Sequence, residues 1–333
     1  MVKLAPMRLL CGMLIATCLP MDHVHAQKDG DRPAVLAFAS DTQEPMRVEE
    51  MVLRSHQNRK ATRALFKEII AQRPAELFLL GDVVNLGHRE ERWTYIDTAL
   101  HEARKAGVVV NAILGNHELM GRANMGAIRF QSRFPQHVPT GYTVIRDSIA
   151  VVLLNSNFKK MRRAQIKEQN DWYRTTLAAL DTAPEIKAVI VCCHHSPYSY
   201  SKLVGSNGQV QRLFVAPFLK QRKTRLFLSG HAHLFQHFHK DGKDFFVIGG
   251  GGGLNHPLRK RTGPEIALAP EYAPLFHYMT VQLCGDRLRL VSRRLLDDMT
   301  AFEDGAVFEF PIDVPAGPEP SGIEKVFGVD QDR

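Results

Sequence analysis

The chain contains few cysteines, and their arrangement excludes the protein classes that depend on them. Of the five cysteines, Cys11 and Cys18 fall in an apolar N-terminal run, which leaves Cys192, Cys193 and Cys284. No CxxC pair or cysteine-rich zinc pattern occurs, and the odd number leaves at least one thiol free or paired between chains. Cys192 and Cys193 continue the apolar stretch AVIVCC, so we interpret them as strand residues and not as a disulfide framework.

Internal repeats, low-complexity tracts and long blocks of one charge are also absent from the sequence. The 333 residues include 43 Lys and Arg against 35 Asp and Glu, a formal net charge of +8. This excess suits an anionic substrate, an anionic membrane face or nucleic acid, or serves solubility alone. Aromatic residues are only 8% of the chain and do not alternate with basic ones, so no dedicated nucleic-acid module is indicated. Hydrophobic residues make up 44%, enough for one large domain or two small ones.

The first 26 residues have the parts of a signal peptide. Lys3 and Arg8 form a short positive region, the apolar run covers Leu9–Pro20, and a small-residue cleavage site precedes Gln27. The apolar run is shorter than the roughly 20 residues that cross a bilayer. We therefore predict cleavage, a periplasmic or secreted protein, and no transmembrane segment in the mature chain. A retained N-terminal anchor and a lipid anchor at Cys18 are the alternatives.

Apolar runs of strand length alternate with helical patterns along most of the remaining chain. A strand is predicted at Ala34–Ser40 and a helix at Gln57–Gln72, and similar units follow. Three later segments have the pattern of β-hairpins, with turns near Asp147, Asp241 and Gly285. The alternation predicts an α/β fold of four layers (α/β/β/α), in which two mixed β-sheets pack face to face between flanking helices.

The domain boundaries are predicted from composition. Residues 1–26 form the signal peptide, residues 33–300 the folded domain, and residues 301–333 a C-terminal tail. Nothing in the sequence indicates an oligomeric state.

Side chains that can bind metals follow five of the predicted strands. They are, in chain order, Asp41 with Gln43, Asp82, Asn116 with His117 and Glu118, His194 with His195, and His231 with His233. One Gly-Asp pair is more often a turn than a site. Five exits with oxygen or imidazole donors instead indicate a ligand site at the carboxyl ends of the strands. Imidazole with carboxylate suits zinc, iron or manganese, and two ions about 3.5–4 Å apart serve phosphoryl chemistry.

The order Asp-x-Gln, Gly-Asp, Gly-Asn-His-Glu, His and Gly-His-x-His resembles the calcineurin-like metallophosphoesterase superfamily. The resemblance is to its purple-acid-phosphatase and cyclic-nucleotide-phosphodiesterase branch, and extends from about Ala34 to Arg294. Gly-Asn-His-Glu followed by Gly-His-x-His is its most specific part. The resemblance implies a metal-dependent phosphoesterase that hydrolyses a phosphate monoester or diester, with a phosphorylated small molecule or other phosphoester as substrate.

The resemblance also implies two metal ions (Fe, Mn or Zn) that share Asp82 as a bridging ligand. The other ligands would be Asp41, Gln43 and His233 for the first ion, and Asn116, His194 and His231 for the second. A metal-bound hydroxide would attack phosphorus in line.

Two catalytic residues complete the expected site. His117 would contact the phosphate and protonate the leaving oxygen as a general acid. Glu118 would orient either His117 or the local loop. His195 remains the alternative to His194 as the ligand, because its spacing to Pro197 favours it, whereas the register of HHSPYS favours His194.

Two positions depart from the family pattern. Gln43 stands where many members have histidine, and an amide oxygen is the weaker ligand. Asn85 stands three residues after Asp82, where purple acid phosphatases have tyrosine, so no tyrosinate-to-iron colour is expected. The alternative functions are a catalytically degenerate relative that binds a phosphorylated ligand or protein partner, and a nuclease within the phosphoesterase class.

Four further histidines near these segments are interpreted as loop or surface residues, because a lone histidine is seldom a ligand. They are His88, His237, His239 and His256. Of these, His88 has the best claim to line the pocket. Substrate specificity is expected from the loops around His88, Gly121–Gln136 and Ser199–Gly208, which carry no recognisable motif.

Overall fold

The computed structural model describes most of the chain after the predicted signal peptide. The described ranges are residues 33–53, 57–259, 266–267 and 276–312. The predicted signal peptide therefore lies outside them. Within these ranges, none of the helices combines the length and the apolar character needed to cross a membrane.

The strands form two mixed sheets. In chain order they are β1 (Val35–Ala39), β2 (Glu76–Leu79), β3 (Val109–Ala112), β4 (Tyr142–Arg146), β5 (Ile149–Leu154), β6 (Ala188–Cys193), β7 (Thr224–Ser229), β8 (Phe235–Lys240), β9 (Lys243–Ile248), β10 (Ile266–Ala267), β11 (His277–Cys284), β12 (Arg287–Leu295) and β13 (Phe302–Pro311). The six-stranded sheet has the order β13-β12-β11-β1-β2-β3, and the seven-stranded sheet has the order β10-β8-β9-β7-β6-β5-β4.

Each sheet has a parallel centre. Strands β1, β2 and β3 run parallel in one sheet, and β5, β6, β7 and β9 run parallel in the other. The three predicted hairpins are present as the antiparallel pairs β4–β5, β8–β9 and β11–β12. Because parallel strands end at the same edge of their sheet, the loops after them come together there.

The helices cover the outer faces of the sheets. They are α1 (Arg47–Glu50), α2 (Asn58–Gln72), α3 (Thr94–Lys105), α4 (Ala123–Arg133), α5 (Arg163–Thr182), α6 (Gly208–Val210) and α7 (Ala216–Leu219). Short 3₁₀ turns at Glu90–Arg92 and Phe158–Lys160, and a π turn at Gln211–Val215, complete the helical elements of the described residues.

Successive side chains along each strand face opposite sides of the sheet, and this alternation places apolar residues in the core on either side. On β1, Leu36 and Phe38 face the seven-stranded sheet, and Phe38 stacks on Phe78 with ring centroids 4.8 Å apart. The intervening Ala37 and Ala39 face the opposite way and pack with residues of α2 and α3. The outer face of the seven-stranded sheet packs in turn against α5 and the α6–α7 segment. Both faces of each sheet are thus apolar, as expected for parallel strands covered on both sides. The predicted four-layer α/β/β/α fold is confirmed.

The predicted boundary at residue 300 is wrong, because β13 lies in the segment assigned to the tail. Phe308 and Phe310 alternate along β13 and pack against the core between the sheets. Its acidic residues form ion pairs with arginines of β12, including Glu309 with Arg287 at 3.2 Å. Charge pairing with the neighbouring strand thus lets an acidic segment extend the sheet. Residues 313–333 lie outside the described residues.

Two smaller sequence interpretations can be compared with the structure. Cys192 and Cys193 are buried strand residues with free thiols, as expected, and Cys284 is exposed and also free. The segment Gly121–Gln136, expected to be a loop, consists mainly of α4, which buries Phe130.

Candidate metal centre

The predicted site residues lie where the parallel strands of both sheets end. Asp82 follows β2, and His194 follows β6 directly. The two sheets meet at this point, because Nδ1 of His194 lies 2.9 Å from the carbonyl oxygen of Leu80. The backbone N–H of Gly230, after β7, donates to the carbonyl of His194. Loops that follow strands of two different sheets are thus held against each other.

One group of predicted ligands converges around Asp82. Nε2 of His194 lies 3.1 Å from Oδ2 of Asp82 and 3.1 Å from Oδ1 of Asn116. Asp82, His194 and His231 each have a candidate ligand atom within 4.8 Å of the others. The ligands expected for the second metal ion therefore lie together, with the expected bridging carboxylate among them.

A second group lies around Asp41. Oδ1 of Asp41 is 3.4 Å from Nε2 of His233. In one orientation of the Gln43 amide, its nitrogen donates to the carbonyls of Asp82 and Asp41, at 2.8 and 3.2 Å. Its oxygen then lies 3.2 Å from Nε2 of His233. These are the residues expected at the first metal ion.

The donor chemistry of both groups fits a cation. The carbonyl of Leu80 has no hydrogen to donate, so the hydrogen between it and His194 is on Nδ1, which leaves the lone pair of Nε2 pointing towards Asp82 and Asn116. The carbonyl of Leu254 orients His233 in the same way, at 2.7 Å. Each group therefore brings imidazole nitrogens and carboxylate or amide oxygens together as acceptors, as metal-ligating histidines with their far nitrogen hydrogen-bonded do.

The electrostatics show the same convergence. Burial alone lowers the pKa of His194, but the Asp82 carboxylate overcomes this effect and raises it to about 9. Burial likewise opposes ionisation of Asp82, yet the charges of His194 and His117 hold the pKa of Asp82 far below its usual value. The group draws a positive charge to Nε2 of His194, and a metal ion would supply that charge in place of a proton.

Three of the predicted ligands have left-handed backbone conformations. The φ angles are 59° at Asp41, 50° at Asp82 and 68° at His231. Aspartate and histidine enter this region more readily than most residues, but it remains an uncommon conformation that clusters at functional sites. The loops are held by local hydrogen bonds, such as those that the His231 N–H donates to the Asp41 carboxylate, at 2.9 and 3.1 Å.

Close backbone approach at this site requires glycine at two positions. A Cβ atom on Gly115 would lie 2.1 Å from Oδ1 of Asp82, and one on Gly230 would lie 2.4 Å from Oδ2 of Asp41. The Gly in Gly-Asn-His-Glu and the Gly in Gly-His-x-His therefore make room for the carboxylates.

His117 lies beside the two groups with its ring fixed. Nδ1 is 3.1 Å from the carbonyl oxygen of Asn85, so Nδ1 carries a hydrogen and donates it. Nε2 lies 3.9 Å from Oδ2 of Asp82. The backbone N–H of His117 donates to Oδ1 of Asp82 at 2.8 Å. The ring thus presents Nε2 next to the candidate metal ligands.

Glu118 supports the loops of the site. Its side chain is fully buried. Its carboxylate accepts hydrogen bonds from the backbone N–H groups of Asp82, Val83, Val84 and Gly115, at 2.7 to 3.1 Å. Of the two roles expected for it, the structure shows contacts for orienting the local loop, and it connects the exits of β2 and β3. Burial and the nearby Asp82 charge raise the pKa of Glu118 to about 7, against the effect of these N–H donors.

His195 lies beside the ligand group that His194 joins, but its Nδ1 has a different partner. Nδ1 of His195 lies 2.8 Å from the hydroxyl of Ser156. Its ring centroid is 4.4 Å from that of His231. Burial and the adjacent His194 lower the pKa of His195 to about 3, so the ring is neutral. The geometry favours His194 as the ligand and places His195 beside it.

The interpretation as loop or surface residues is wrong for His237, which is buried in β8, whereas His256 lies in a loop but is buried. His256 is 6% exposed and stacks on His233 with ring centroids 4.2 Å apart. Its Nδ1 accepts a hydrogen bond from the backbone N–H of His233 and contacts the Ser201 hydroxyl, both at 3.2 Å. His237 is 2% exposed and stacks on Phe246 inside the β8–β9 hairpin. No sequence motif distinguishes His256, because its contacts are made only in the folded chain.

A model of the calcineurin-like phosphoesterases matches residues 34–235. This range contains every predicted site residue and more than half of the chain. The chain therefore belongs to the calcineurin-like phosphoesterase family. No curated protein sequence is similar enough to count as a further relative.

Solved structures share the fold at low sequence identity. The purple acid phosphatase PPD1 from yellow lupin (Lupinus luteus) seeds aligns over 86% of this chain and 57% of its own length, with 14% identity and a TM-score of 0.61. GAP50, the anchor in the inner membrane complex of Plasmodium, aligns over 86% and 90%, with 12% identity and a TM-score of 0.64. A dimetal phosphatase from Danio rerio aligns over 85% and 100%, with 15% identity and a TM-score of 0.54. Identities this low show a common fold alone.

Proposed function

We propose that the chain is a metal-dependent phosphoesterase that hydrolyses a phosphate monoester or diester at a centre of two metal ions (Fe, Mn or Zn). The main support is the convergence of acceptors on Nε2 of His194, where Asp82 and Asn116 each approach to 3.1 Å. Family membership supports the same chemistry. Two bound ions would polarise the phosphoryl oxygens and acidify the attacking water.

In this proposal Asp82 would bind both ions. Asp41, Gln43 and His233 would hold the first ion, and Asn116, His194 and His231 would hold the second. The carbonyls of Leu80 and Leu254 keep the two imidazoles turned with Nε2 inward. Those carbonyls also increase the basicity of the ring nitrogens that bind the ions.

His117 acts as the general acid in this proposal. The carbonyl of Asn85 occupies Nδ1, so the exchangeable proton is carried by Nε2, on the side of Asp82. The ring would give this proton to the leaving oxygen as the ester bond breaks, a general-acid role suited to imidazole. Glu118 holds the loops that carry both residues.

The test is hydrolysis of p-nitrophenyl phosphate and of bis(p-nitrophenyl) phosphate by the protein purified without chelator. We expect turnover with added Mn²⁺ or Zn²⁺, loss of turnover after chelation, and recovery when metal is restored. The ester that is preferred identifies the protein as a monoesterase or a diesterase. A folded, metal-loaded protein that hydrolyses neither ester would contradict the proposal.

A catalytically degenerate protein, the alternative function, would hydrolyse neither ester. Gln43 is the feature that favours it, since an amide oxygen binds metal more weakly than imidazole does. The fold does not decide between the two, because GAP50 is described as an anchor and the lupin protein as a phosphatase. The presence of His117 beside the ligands favours the enzyme.

We also propose that the protein is exported after cleavage of residues 1–26. The support is the order of charged, apolar and small residues at the N-terminus. Mass spectrometry of the protein recovered from the periplasm or medium tests this. A first residue of Gln27 is expected, and full-length protein retained in the cytoplasm would contradict it.

A further inference from the structure

A cleft beside the metal centre is lined by arginines that the proposed chemistry does not use. It is open to solvent, which makes up part of its roughly 370 Å³ of space, and its lining includes Thr42 and Asn85. Thr42 lies between two candidate ligands in the sequence, and Asn85 lies three residues after Asp82. The cleft and the metal centre are therefore built on the same two loops.

The charges around this cleft favour an anion. Arg59, Arg63 and Arg92 line it, against one carboxylate, Glu44. Arg63 lies over the ring of Tyr95 at 5.3 Å, which limits its movement. Arg59 and Arg63 belong to the first two turns of α2, and Tyr95 to the first turn of α3. Both helices therefore direct their positive N-terminal ends towards the cleft.

Glu44 is paired with two of these arginines. Its two carboxylate oxygens lie 3.2 Å from Nε of Arg59 and 3.6 Å from Nη1 of Arg92. All three side chains are more than one-third exposed. Ion pairs as exposed as these are weak, so a competing oxyanion can displace Glu44 from the arginines.

Asn85 provides an independent indication of a ligand. The residue is 2% exposed, and its Oδ1 has no hydrogen-bond partner among the residues that the structure describes. A buried acceptor without a partner is costly, and a ligand hydroxyl or amine would satisfy it.

We propose that this cleft is a second anion-binding site, which takes a carboxylate or phosphate group of a molecule that also offers a hydroxyl or amine hydrogen. That molecule is either the part of the substrate beyond the scissile ester, in which case the inference rests on the proposed function, or a separate small oxyanion. In both cases the oxyanion replaces Glu44 at Arg59 and Arg92, and the hydrogen donor meets Asn85.

The first arm of the test compares matched substrates on the metal-loaded protein. The quantity is kcat/KM for 3- and 4-carboxyphenyl phosphate divided by kcat/KM for phenyl phosphate. Arg92→Gln should lower this ratio about tenfold, the effect of one charge-assisted hydrogen bond. Glu44→Gln should raise it, because the internal competitor is gone. Arg287→Gln is the control, because Arg287 has a similarly exposed ion pair with Glu309 on the far strands.

The second arm needs no turnover. Lactate, which has a carboxylate and a hydroxyl, is titrated into the same proteins by calorimetry, with propionate as the probe without a hydroxyl. We expect lactate to bind more tightly than propionate. Its affinity should fall about tenfold in Arg92→Gln, rise in Glu44→Gln and stay constant in Arg287→Gln.

The outcomes separate the two occupants and the two proposals. A response in the substrate ratio assigns the cleft to the substrate, and a response confined to lactate binding assigns it to a separate oxyanion. Lactate binding with this variant pattern in a protein that hydrolyses no ester supports the cleft and contradicts the phosphoesterase. Identical values in wild type, Arg92→Gln and Glu44→Gln in both arms would overturn the inference.

Discussion

Two clusters in this chain each combine one aspartate with two histidines, yet the far nitrogens of their imidazole rings have different partners. At the candidate metal centre, Asp82 lies with His194 and His231. In the β8–β9 hairpin, Oδ1 of Asp244 lies 2.7 Å from Nε2 of His237 and 3.1 Å from Nδ1 of His239. The residue types are the same, so composition alone does not distinguish a metal site from a structural cluster.

The difference lies in what contacts the far nitrogen of each ring. His194 donates its Nδ1–H to the carbonyl of Leu80, so Nε2 faces Asp82 and can carry either a proton or a metal ion there. His237 has no such carbonyl, since its Nδ1 is without a partner among the described residues, and its Nε2–H donates to Asp244. A carbonyl behind the ring therefore prepares a histidine for a metal, whereas a hydrogen directed at the carboxylate completes the pair without one.

The two clusters also differ in backbone conformation. Asp244 and His237 lie within regular antiparallel strands. Asp82 and His231 lie at strand exits with φ angles of 50° and 68°. The irregular backbone is found where the ligands converge, as expected for strain that is retained for function.

Replacing the aspartate of each cluster gives the largest contrast. Asp82→Asn should lower phosphoester hydrolysis about a thousandfold or more and loosen both metal ions, because the shared charge is lost. Asp244→Asn should leave turnover within about twofold, since Asp244 only accepts hydrogen bonds from its histidines. Steady-state kinetics on both folded variants measures this. Equal losses of activity in the two variants would show that the two clusters do not differ in their role.

His117→Ala should separate metal binding from turnover. We expect the metal content to be unchanged and hydrolysis of esters with poor leaving groups to fall about 10²- to 10⁴-fold, because such esters need a proton on the leaving oxygen. Esters with good leaving groups, such as p-nitrophenyl phosphate, should lose less. Loss of the metals in this variant would show that His117 is a ligand.

The adjacent histidines allow the ligand assignment to be tested within one dipeptide. His194→Ala should weaken metal binding about 10- to 100-fold or more, because Nε2 of His194 faces Asp82 and Asn116. His195→Ala should keep the metals, because its ring contacts Ser156. Titration with a competing chelator measures both affinities. The reverse ranking would make His195 the ligand.

Gly115→Ala tests whether the close approach of the Gly115 backbone to the Asp82 carboxylate sets the position of Asp82. The added Cβ would lie 2.1 Å from Oδ1 of Asp82, so the loop must shift, at a cost of about 1–3 kcal/mol in unfolding free energy. Gly205→Ala is the control, because nothing lies within 4 Å of its Cβ position. Chemical denaturation and metal titration of both variants measure the effect. Equal stabilities would show that the loop accommodates the methyl group.

The smallest expected effect is the pH dependence of the Asp244 cluster. Burial raises the pKa of Asp244, but hydrogen bonds from His237 and His239 outweigh burial and lower it below the usual value. A lowered pKa stabilises the fold above the unfolded-state pKa of about 3.9, and this stabilisation disappears as the pH falls through the folded-state pKa. The stability lost in Asp244→Asn, about 1–3 kcal/mol at neutral pH, should therefore shrink in acid. Urea unfolding at pH 7 and near pH 3 measures it, and a constant difference would contradict the pairing.

The sequence predicted the parallel centres of the sheets well, because their strands are continuous apolar runs that end in donor residues. It failed at β13, where the acidic composition concealed an edge strand. The alternation of Phe308 and Phe310 was visible in the sequence, but the arginines that neutralise its acidic residues lie on β12 and pair with them only in the folded sheet.

The site was predicted where a motif carries the ligand, and missed where a contact depends on tertiary structure. Asp82 and His194 follow apolar strands, so their position after the strand ends could be predicted from the sequence. The four backbone donors to Glu118 and the stacking of His256 on His233 join segments far apart in sequence. No local pattern encodes such contacts, so the sequence identified His256 only as a loop or surface residue and did not predict its burial.

The most direct test of the account is the metal content of the wild-type protein, purified without chelator and measured by elemental analysis alongside Asp82→Asn and Asp244→Asn. We predict about two ions per chain in the wild type and in Asp244→Asn, and far fewer in Asp82→Asn. A folded wild-type protein that binds no metal, even with Mn²⁺ or Zn²⁺ supplied, would contradict the claim that these strand exits form a metal centre.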